Sequence, residues 1–250
     1  MKKLSKNGFT FKRFFIAHDK SPMKVTTDSC LLGAWSRVSE KTQKVLDIGC
    51  GCGIIALMLA QRLEKNDSMI DAIDINLDAV TQCQENIDNS PFNHINSLCI
   101  DINQYQPNSM AVYDLIVTNP PYFASAVDCR NEQRQQARYT ENLNHNQLIV
   151  IAKRLLKDDG YFCVVLPYHL SAVFIQQCLQ QGLYLSDELC VKYTENKQVS
   201  LHLLCFTPQP IKTVISQTLV MRDNEGSYTE LFRNLLQDFY LFNNKINLFP

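Results

Sequence analysis

The sequence predicts an α/β protein built on an open, mostly parallel sheet, and four stretches carry that prediction. Lys44-Val-Leu-Asp-Ile48 is a short apolar strand that runs into Gly49-Cys-Gly-Cys-Gly53, after which an apolar helix begins at Ile54. Met69-Ile-Asp-Ala-Ile-Asp74 and Leu98-Cys-Ile-Asp101 each read as a strand that ends in an acid. Tyr113-Asp-Leu-Ile-Val-Thr118 reads as a buried strand that Asn119-Pro-Pro-Tyr122 must stop. Proline has no N–H for the ladder and restricts the residue before it, so the chain has to turn there. In an open α/β sheet ligands collect outside the carboxyl ends of the strands, where all of these polar residues fall.

In chain order, the first 35 residues form a basic and aromatic extension. Residues 1–24 carry Lys2, Lys3, Lys6, Lys12, Arg13, Lys20 and Lys24 against Asp19 alone, although the whole chain has a formal charge of −1. Phe9, Phe11, Phe14 and Phe15 interleave with those cations. Cations neutralise phosphates while rings stack on bases or anchor the segment to a core. The bland alternative is a solvated tail.

The glycine loop comes next. Glycine lacks a Cβ, so the loop can turn tightly and bring its backbone close to a ligand. Gly-x-Gly-x-Gly is common to dinucleotide and nucleoside sites, but Ile54 replaces the last glycine of the dinucleotide spacing. Asp47, on the strand before the loop, would aim an acid at the ligand and suits an amine-bearing one. Asp74 stands at the end of the second strand, suited to a ribose diol, with Asp71 as its competitor. Asp101 can accept from an adenine amino group. Each acid alone also reads as a helix N-cap or a solvated loop residue. Three acids at strand ends around one glycine loop read together as a site.

The turn after the fourth of these strands offers an amide side chain, carbonyls with no competing N–H groups, and an aromatic ring. Those parts can hold a planar nitrogen nucleophile and accept hydrogen bonds from its NH₂. A Pro-rich turn capped by a buried Tyr122 is the plain alternative. Residues 123–142 are polar, with Arg130, Arg134 and Arg138 four apart. That spacing fits a solvated helix face, RNA contact, or a loop that orders over a target nucleotide.

Further on, 147–156 reads as a helix stopped by Asp158-Asp159-Gly160, followed by a buried strand over 161–166. A helix over 170–180 ends at Gly182, and 189–193 with 199–206 form a hairpin. Tyr228, Leu231, Phe232, Leu235, Leu236, Phe239 and Tyr240 recur at helical spacing, which predicts an amphipathic helix over 228–240 packed on the domain.

Residues 45–207 resemble the class I S-adenosylmethionine-dependent methyltransferases. The resemblance implies a Rossmann-like, seven-stranded, mostly parallel sheet with an antiparallel C-terminal hairpin. It implies cofactor contacts from Gly49, Gly51, Gly53, Asp74, Asp101 and Asn119, with Asp47 near the methionine amino group. Asn119, Pro120, Pro121 and Tyr122 match the motif of amino-methylating members, which act on adenine N6, guanine N2 or glutamine N5. The ends narrow the choice. Phe9–His18, Met23–Trp35 and Tyr228–Tyr240 resemble the bacterial enzymes that methylate adenine N6 just 3′ of the valine anticodon, position 37 of tRNA1(Val). Cys50 and Cys52 depart from the small residues usual in that loop. The resemblance implies S-adenosylmethionine as cofactor, tRNA as substrate with the base flipped into the pocket, and RNA contacts from Lys2, Lys3, Lys6, Lys12, Arg13, Arg130, Arg134 and Arg138.

Composition agrees with one methyltransferase domain over 1–250: an extension over 1–35, a catalytic core over 36–210, and a strand/helix tail over 211–250. At 250 residues with 46% hydrophobic and 20% charged, the chain can bury a full core. No apolar run reaches the roughly 18–20 residues that span a bilayer, and the N-terminus lacks a signal peptide's apolar segment. Ten cysteines without a Cys-x-x-Cys pair point to reduced, buried thiols in a cytoplasmic protein with no metal, and a monomer is assumed. Competing readings are a protein glutamine N5-methyltransferase, a nucleotide-binding oxidoreductase and a non-catalytic RNA-binding module.

Overall fold

The computed structural model describes residues 7–107, 111–121 and 145–242. A small antiparallel hairpin, β1 (Gly8–Thr10) and β2 (Phe15–Ala17), leads into helix α1 (Thr27–Trp35). Then come β3 (Lys44–Ile48), α2 (Ile54–Arg62), β4 (Met69–Asp74), α3 (Leu77–Asp88), β5 (Ile95–Cys99) and β6 (Tyr113–Thr118). The second half adds α4 (His145–Leu155), β7 (Leu156–Pro167), α5 (Tyr168–Gln180), β8 (Tyr184–Thr194), β9 (Val199–Thr207), β10 (Ile215–Arg222) and α6 (Glu230–Leu236).

The central sheet runs β10-β8-β9-β7-β6-β3-β4-β5. Its strands from β5 to β7 are parallel, and β9 inserts antiparallel to both β7 and β8. It has eight strands, one more than the seven expected. β8 begins at Tyr184, five residues ahead of the hairpin arm expected over 189–193, and its outer edge needs a partner. The tail supplies one: β10 pairs with it in parallel, from Ile215 opposite Asp187 to Arg222 opposite Thr194.

Successive residues of the central strands go to opposite faces, and each face has its own core. Val45, Leu115, Val117, Cys163, Val165, Leu203 and Cys205 pack under α1, α2, α3 and α6. Leu46, Ile116, Phe162, Val164, Leu204 and Phe206 pack under α4 and α5. Burial on both faces is why these strands read as continuous apolar runs. β5 lies at the edge, which leaves Leu98 37% exposed and Cys99 exposed, against the expectation that Cys99 is buried. All nine cysteines described are free thiols.

Two glycines shape the second half. α5 closes with Gly182 at φ +72, where Gly182 N–H donates to Leu179 O and Leu183 N–H donates to Cys178 O, the two bonds of a Schellman cap. At Gly160 the pairing of β7 with β6 skips from Leu156 to Tyr161. A Cβ there would fall 2.8 Å from Leu156 Cδ1 and 3.0 Å from Tyr113 O, so the bulge needs glycine.

The tail helix is shorter than its apolar spacing predicts. α6 stops at Leu236, whose carbonyl accepts from both Phe239 N and Tyr240 N, and the carbonyls that follow bond outside the helix: Gln237 O accepts from Lys12 Nζ, Asp238 O from Gln61 Nε2 and Phe239 O from Lys12 N. Phe232, Leu236, Phe239 and Tyr240 are buried against α1, whereas Leu231 is 61% exposed. No helix of the described residues is long and apolar enough to cross a membrane.

Candidate active site

The ends of β3, β4 and β6 and the ascent past β5 open on one cavity of about 740 Å³. Its floor is the glycine loop. Gly49, Gly51 and Gly53 have φ of +74, +54 and +84, a region that disfavours side chains. A Cβ on Gly49 would meet nothing within 4 Å, so bare backbone faces the cavity there, while one on Gly53 would strike Cys83 Sγ at 2.6 Å. The loop is tied to β4 because Gly49 and Cys50 both donate their N–H to Ile73 O.

Asp74 locks the same corner. Its Oδ2 accepts from Gly51 N at 3.0 Å and its Oδ1 from Asn76 N at 2.9 Å. Burial raises its pKa, and the amides of Asn76, Gly51 and Ile75 oppose that rise. A carboxylate has about four lone-pair sites, so it can hold these amides and still accept from a diol. Asp101 lines the cavity with Ile100 and Ile102 on either side, and its Oδ1 accepts from both nitrogens of Asn103. An acid between two apolar walls suits a flat, amine-bearing ring.

Asn119 lines the opposite wall with Pro120 and Pro121. Thr118 Oγ1 donates to Ile48 O at 2.8 Å and pins the strand end beside the loop. Asn119 Nδ2 donates to Ser29 Oγ at 2.9 Å. Five of the seven residues expected at the cofactor are thus on the cavity wall: Gly49, Gly51, Asp74, Asp101 and Asn119. Gly53 begins α2 just behind it.

Asp47 departs from the expected position. It is fully buried behind the loop and off the cavity wall, where its Oδ2 accepts from Ala56 N at 3.1 Å. Its Oδ1 has no hydrogen-bond partner among the described residues. Burial pushes its pKa up to about 7, against the Ala56 hydrogen bond and with help from the charge of Asp74. Its visible work is to brace the first turn of α2 against β3.

Lys12 and Arg13, expected at RNA, are engaged within the fold. Lys12 binds the tail as described, and Arg13 pairs with both carboxylate oxygens of Glu64 at 2.6 and 2.8 Å while lying over the Phe92 ring. Phe11 and Phe14 are 2% and 5% exposed, so the aromatic residues anchor this segment to the core. Tyr122, Lys2, Lys3, Lys6, Arg130, Arg134 and Arg138 lie outside the described residues.

The N-terminal segment also walls the cavity, which the sequence did not disclose: Ser21, Pro22, Met23, Lys24 and Ser29 all line it. Thr26-Thr27-Asp28-Ser29 carries a helix-start signal, but nothing in it says what the helix faces.

Comparison with known proteins agrees with this geometry. The family model described as methyltransferase small domain matches residues 29–188. A tRNA1(Val) (adenine(37)-N6)-methyltransferase from Photorhabdus laumondii is 45% identical over 96% of this chain and 97% of its own. Proteins of the same name from Escherichia fergusonii and Salmonella typhimurium are 45% and 44% identical over the same shares. Among solved structures, one described as a predicted O-methyltransferase from Agrobacterium tumefaciens aligns with TM-score 0.67 at 15% identity, over 85% of this chain and 96% of that one. A ribosomal protein L11 methylase from Lactobacillus delbrueckii aligns with TM-score 0.52 at 19% identity, over 73% and 77%. At such identities these two show the class I methyltransferase fold alone, whereas the closer sequences show the family. The chain belongs to the tRNA1(Val) (adenine(37)-N6)-methyltransferase family and carries its methyltransferase small domain.

Proposed function

We propose that the protein methylates the exocyclic N6 of an adenine in tRNA, adenosine 37 of tRNA1(Val), in the cytoplasm. The observation that carries this reading is the meeting of Asn119-Pro120-Pro121 with the glycine loop and Asp74 around a single cavity. S-adenosylmethionine, the cofactor, supplies a methyl group already activated on a sulfonium, so the protein's task is position and electrostatics. The backbone of Gly49 and Gly51, the Asp74 carboxylate and the Asp101 carboxylate would hold it.

The chain's own groups account for the rest. Adenine N6 is a poor nucleophile because its lone pair is delocalised into the ring. The Asn119 carboxamide oxygen and the Pro120 carbonyl accept the two amine hydrogens, which lets the nitrogen pyramidalise and aim its lone pair. Orientation of this kind supplies several kcal/mol, up to roughly 7–11 in ideal cases. Tyr122 stacks on the extruded base, a contact worth about 1–3 kcal/mol. No strong base is required before attack, since the N–H becomes acidic once the methyl has joined. Lys2, Lys3, Lys6, Arg130, Arg134 and Arg138 are the cations assigned to RNA phosphates.

The test is single-turnover methylation of an unmodified tRNA1(Val) transcript, with N6-methyladenosine counted by mass spectrometry. Asn119→Ala is expected to slow transfer roughly 100- to 1000-fold, by analogy with the loss of one oxyanion-hole donor, with cofactor affinity nearly intact. Asn119→Asp, which keeps acceptor and shape, retains more activity than Ala. A wild-type rate in the Ala variant would sink the mechanism, and methylated glutamine as sole product would assign the chain to protein methylation.

A further inference from the structure

The shape of an asparagine side chain does not decide which way round it sits. Its oxygen and NH₂ ends are nearly isosteric, and only hydrogen-bond partners choose between the two orientations. For Asn119 the choice matters, because an acceptor is needed at the amine and an NH₂ group in its place would repel the N–H bonds. We propose that Ser29 is a positioning residue for Asn119: its hydroxyl takes the NH₂ end of the carboxamide and so sends the oxygen end toward the reacting amine.

The two residues lie 90 positions apart and are brought together by separate rigid elements. Ser29 is 7% exposed, in the first turn of α1. Thr26 caps that turn: its Oγ1 accepts from Ser29 N at 3.3 Å and lies 3.2 Å from Ser29 Oγ. Either hydroxyl of the Thr26–Ser29 pair can be the donor; when Ser29 donates to Thr26 Oγ1, its lone pairs face Asn119 and accept from the NH₂ end, the arrangement in which Asn119 Nδ2 donates to Ser29 Oγ. The helix cannot drift away from this contact. Cys30, Leu31 and Leu32 are fully buried, and Gly33 lies so close to α2 that a Cβ would come within 2.9 Å of Met58 Sδ. On the other side, the bond from Thr118 Oγ1 to Ile48 O fixes the backbone that carries Asn119.

This assignment rests on the proposed amine methylation, and the experiment separates the two. Single-turnover rates and cofactor dissociation constants are measured for Ser29→Ala in three backgrounds: wild type, Asn119→Asp and Asn119→Ala. In the wild-type background the rate should fall about three- to tenfold, the range for one neutral hydrogen bond, with the cofactor dissociation constant within about twofold. In the Asn119→Asp background it should not fall, because a carboxylate has no NH₂ end to misplace. In the Asn119→Ala background it should not fall either, since the group to be oriented is gone. An unchanged rate in the wild-type background overturns the assignment. So does an equal loss in all three, which would make Ser29 a packing residue. Should Asn119→Ala itself run at the wild-type rate, the proposed mechanism fails instead, independently of Ser29.

Discussion

Replacing Asp74 separates the bracing of the glycine loop from the cofactor binding proposed for it. Each carboxylate oxygen already accepts one backbone amide, from Gly51 and from Asn76. Asp74→Ala leaves both amides without that partner. They face a cavity that water can enter, so the loss should stay near the ordinary net worth of two hydrogen bonds, about 1–3 kcal/mol. For a domain of this size that lowers the melting temperature by roughly 2–10 °C. The binding effect is larger in proportion. Losing charge-assisted bonds to a ribose diol costs roughly 1.5–3 kcal/mol, or about 10- to 150-fold in affinity. Asp74→Asn is no mild control, because its NH₂ must face one of the two amides, donor against donor. It should bind as poorly as Ala. Titration calorimetry with S-adenosylmethionine, run beside thermal unfolding, reads both quantities. A lowered melting temperature with an unchanged dissociation constant would confine Asp74 to bracing the loop and refute its place at the cofactor.

Two other perturbations follow from the charges. Burial holds the pKa of Asp47 up at about 7, above the unfolded value of about 3.9, so the folded state binds this proton more tightly than the unfolded chain does. Its contribution therefore favours folding at low pH and is lost as pH rises from about 4 to about 7; the raised Asp74 acts in the same direction. Asp47→Asn should flatten the fall in urea-measured stability between pH 5 and pH 8, by up to about 3 kcal/mol. An unaltered slope in the variant would remove Asp47 as its source. For RNA, deleting residues 2–6 removes three lysines and should reduce the slope of log affinity against log salt by about two to three, whereas Arg13→Ala, already paired with Glu64, should leave it nearly unchanged. Equal slopes in the deletion and the wild type would deny those lysines a phosphate contact.

Much of the fold is written in local pattern. Continuous apolar runs such as Leu115–Val117 and Val164–Leu166 mark strands buried on both faces, and the prolines after Asn119 end one of them at its carboxyl end. Gly49 to Gly53 mark a loop that only glycine geometry permits, and Asp74 and Asp101 mark strand ends that open on the cavity. These signals are legible because each depends on its own residue and one or two neighbours. Conformation at a glycine, or the missing N–H of a proline, is a property of the residue itself.

What only the tertiary structure decided are the pairings between distant segments. Nothing near Ser29 tells that it meets Asn119, since that contact depends on how α1 lies against the ends of β3 and β6. Asp47 reads as a ligand-facing acid, but alternation along β3 puts it on the same face as Val45, under α2, where it meets Ala56 N. Lys12 and Arg13 read as phosphate-binding cations, yet a carbonyl of the tail and Glu64 take them up. The apolar stripe of the tail predicts a helix as far as Tyr240, yet α6 ends at Leu236 and the carbonyls beyond it bond to Lys12 and Gln61. The eighth strand exists because β8 has an edge for β10 to cover. In each case the local chemistry names what a group can do, and the choice of partner waits on which distant surface the packed core brings within hydrogen-bond reach.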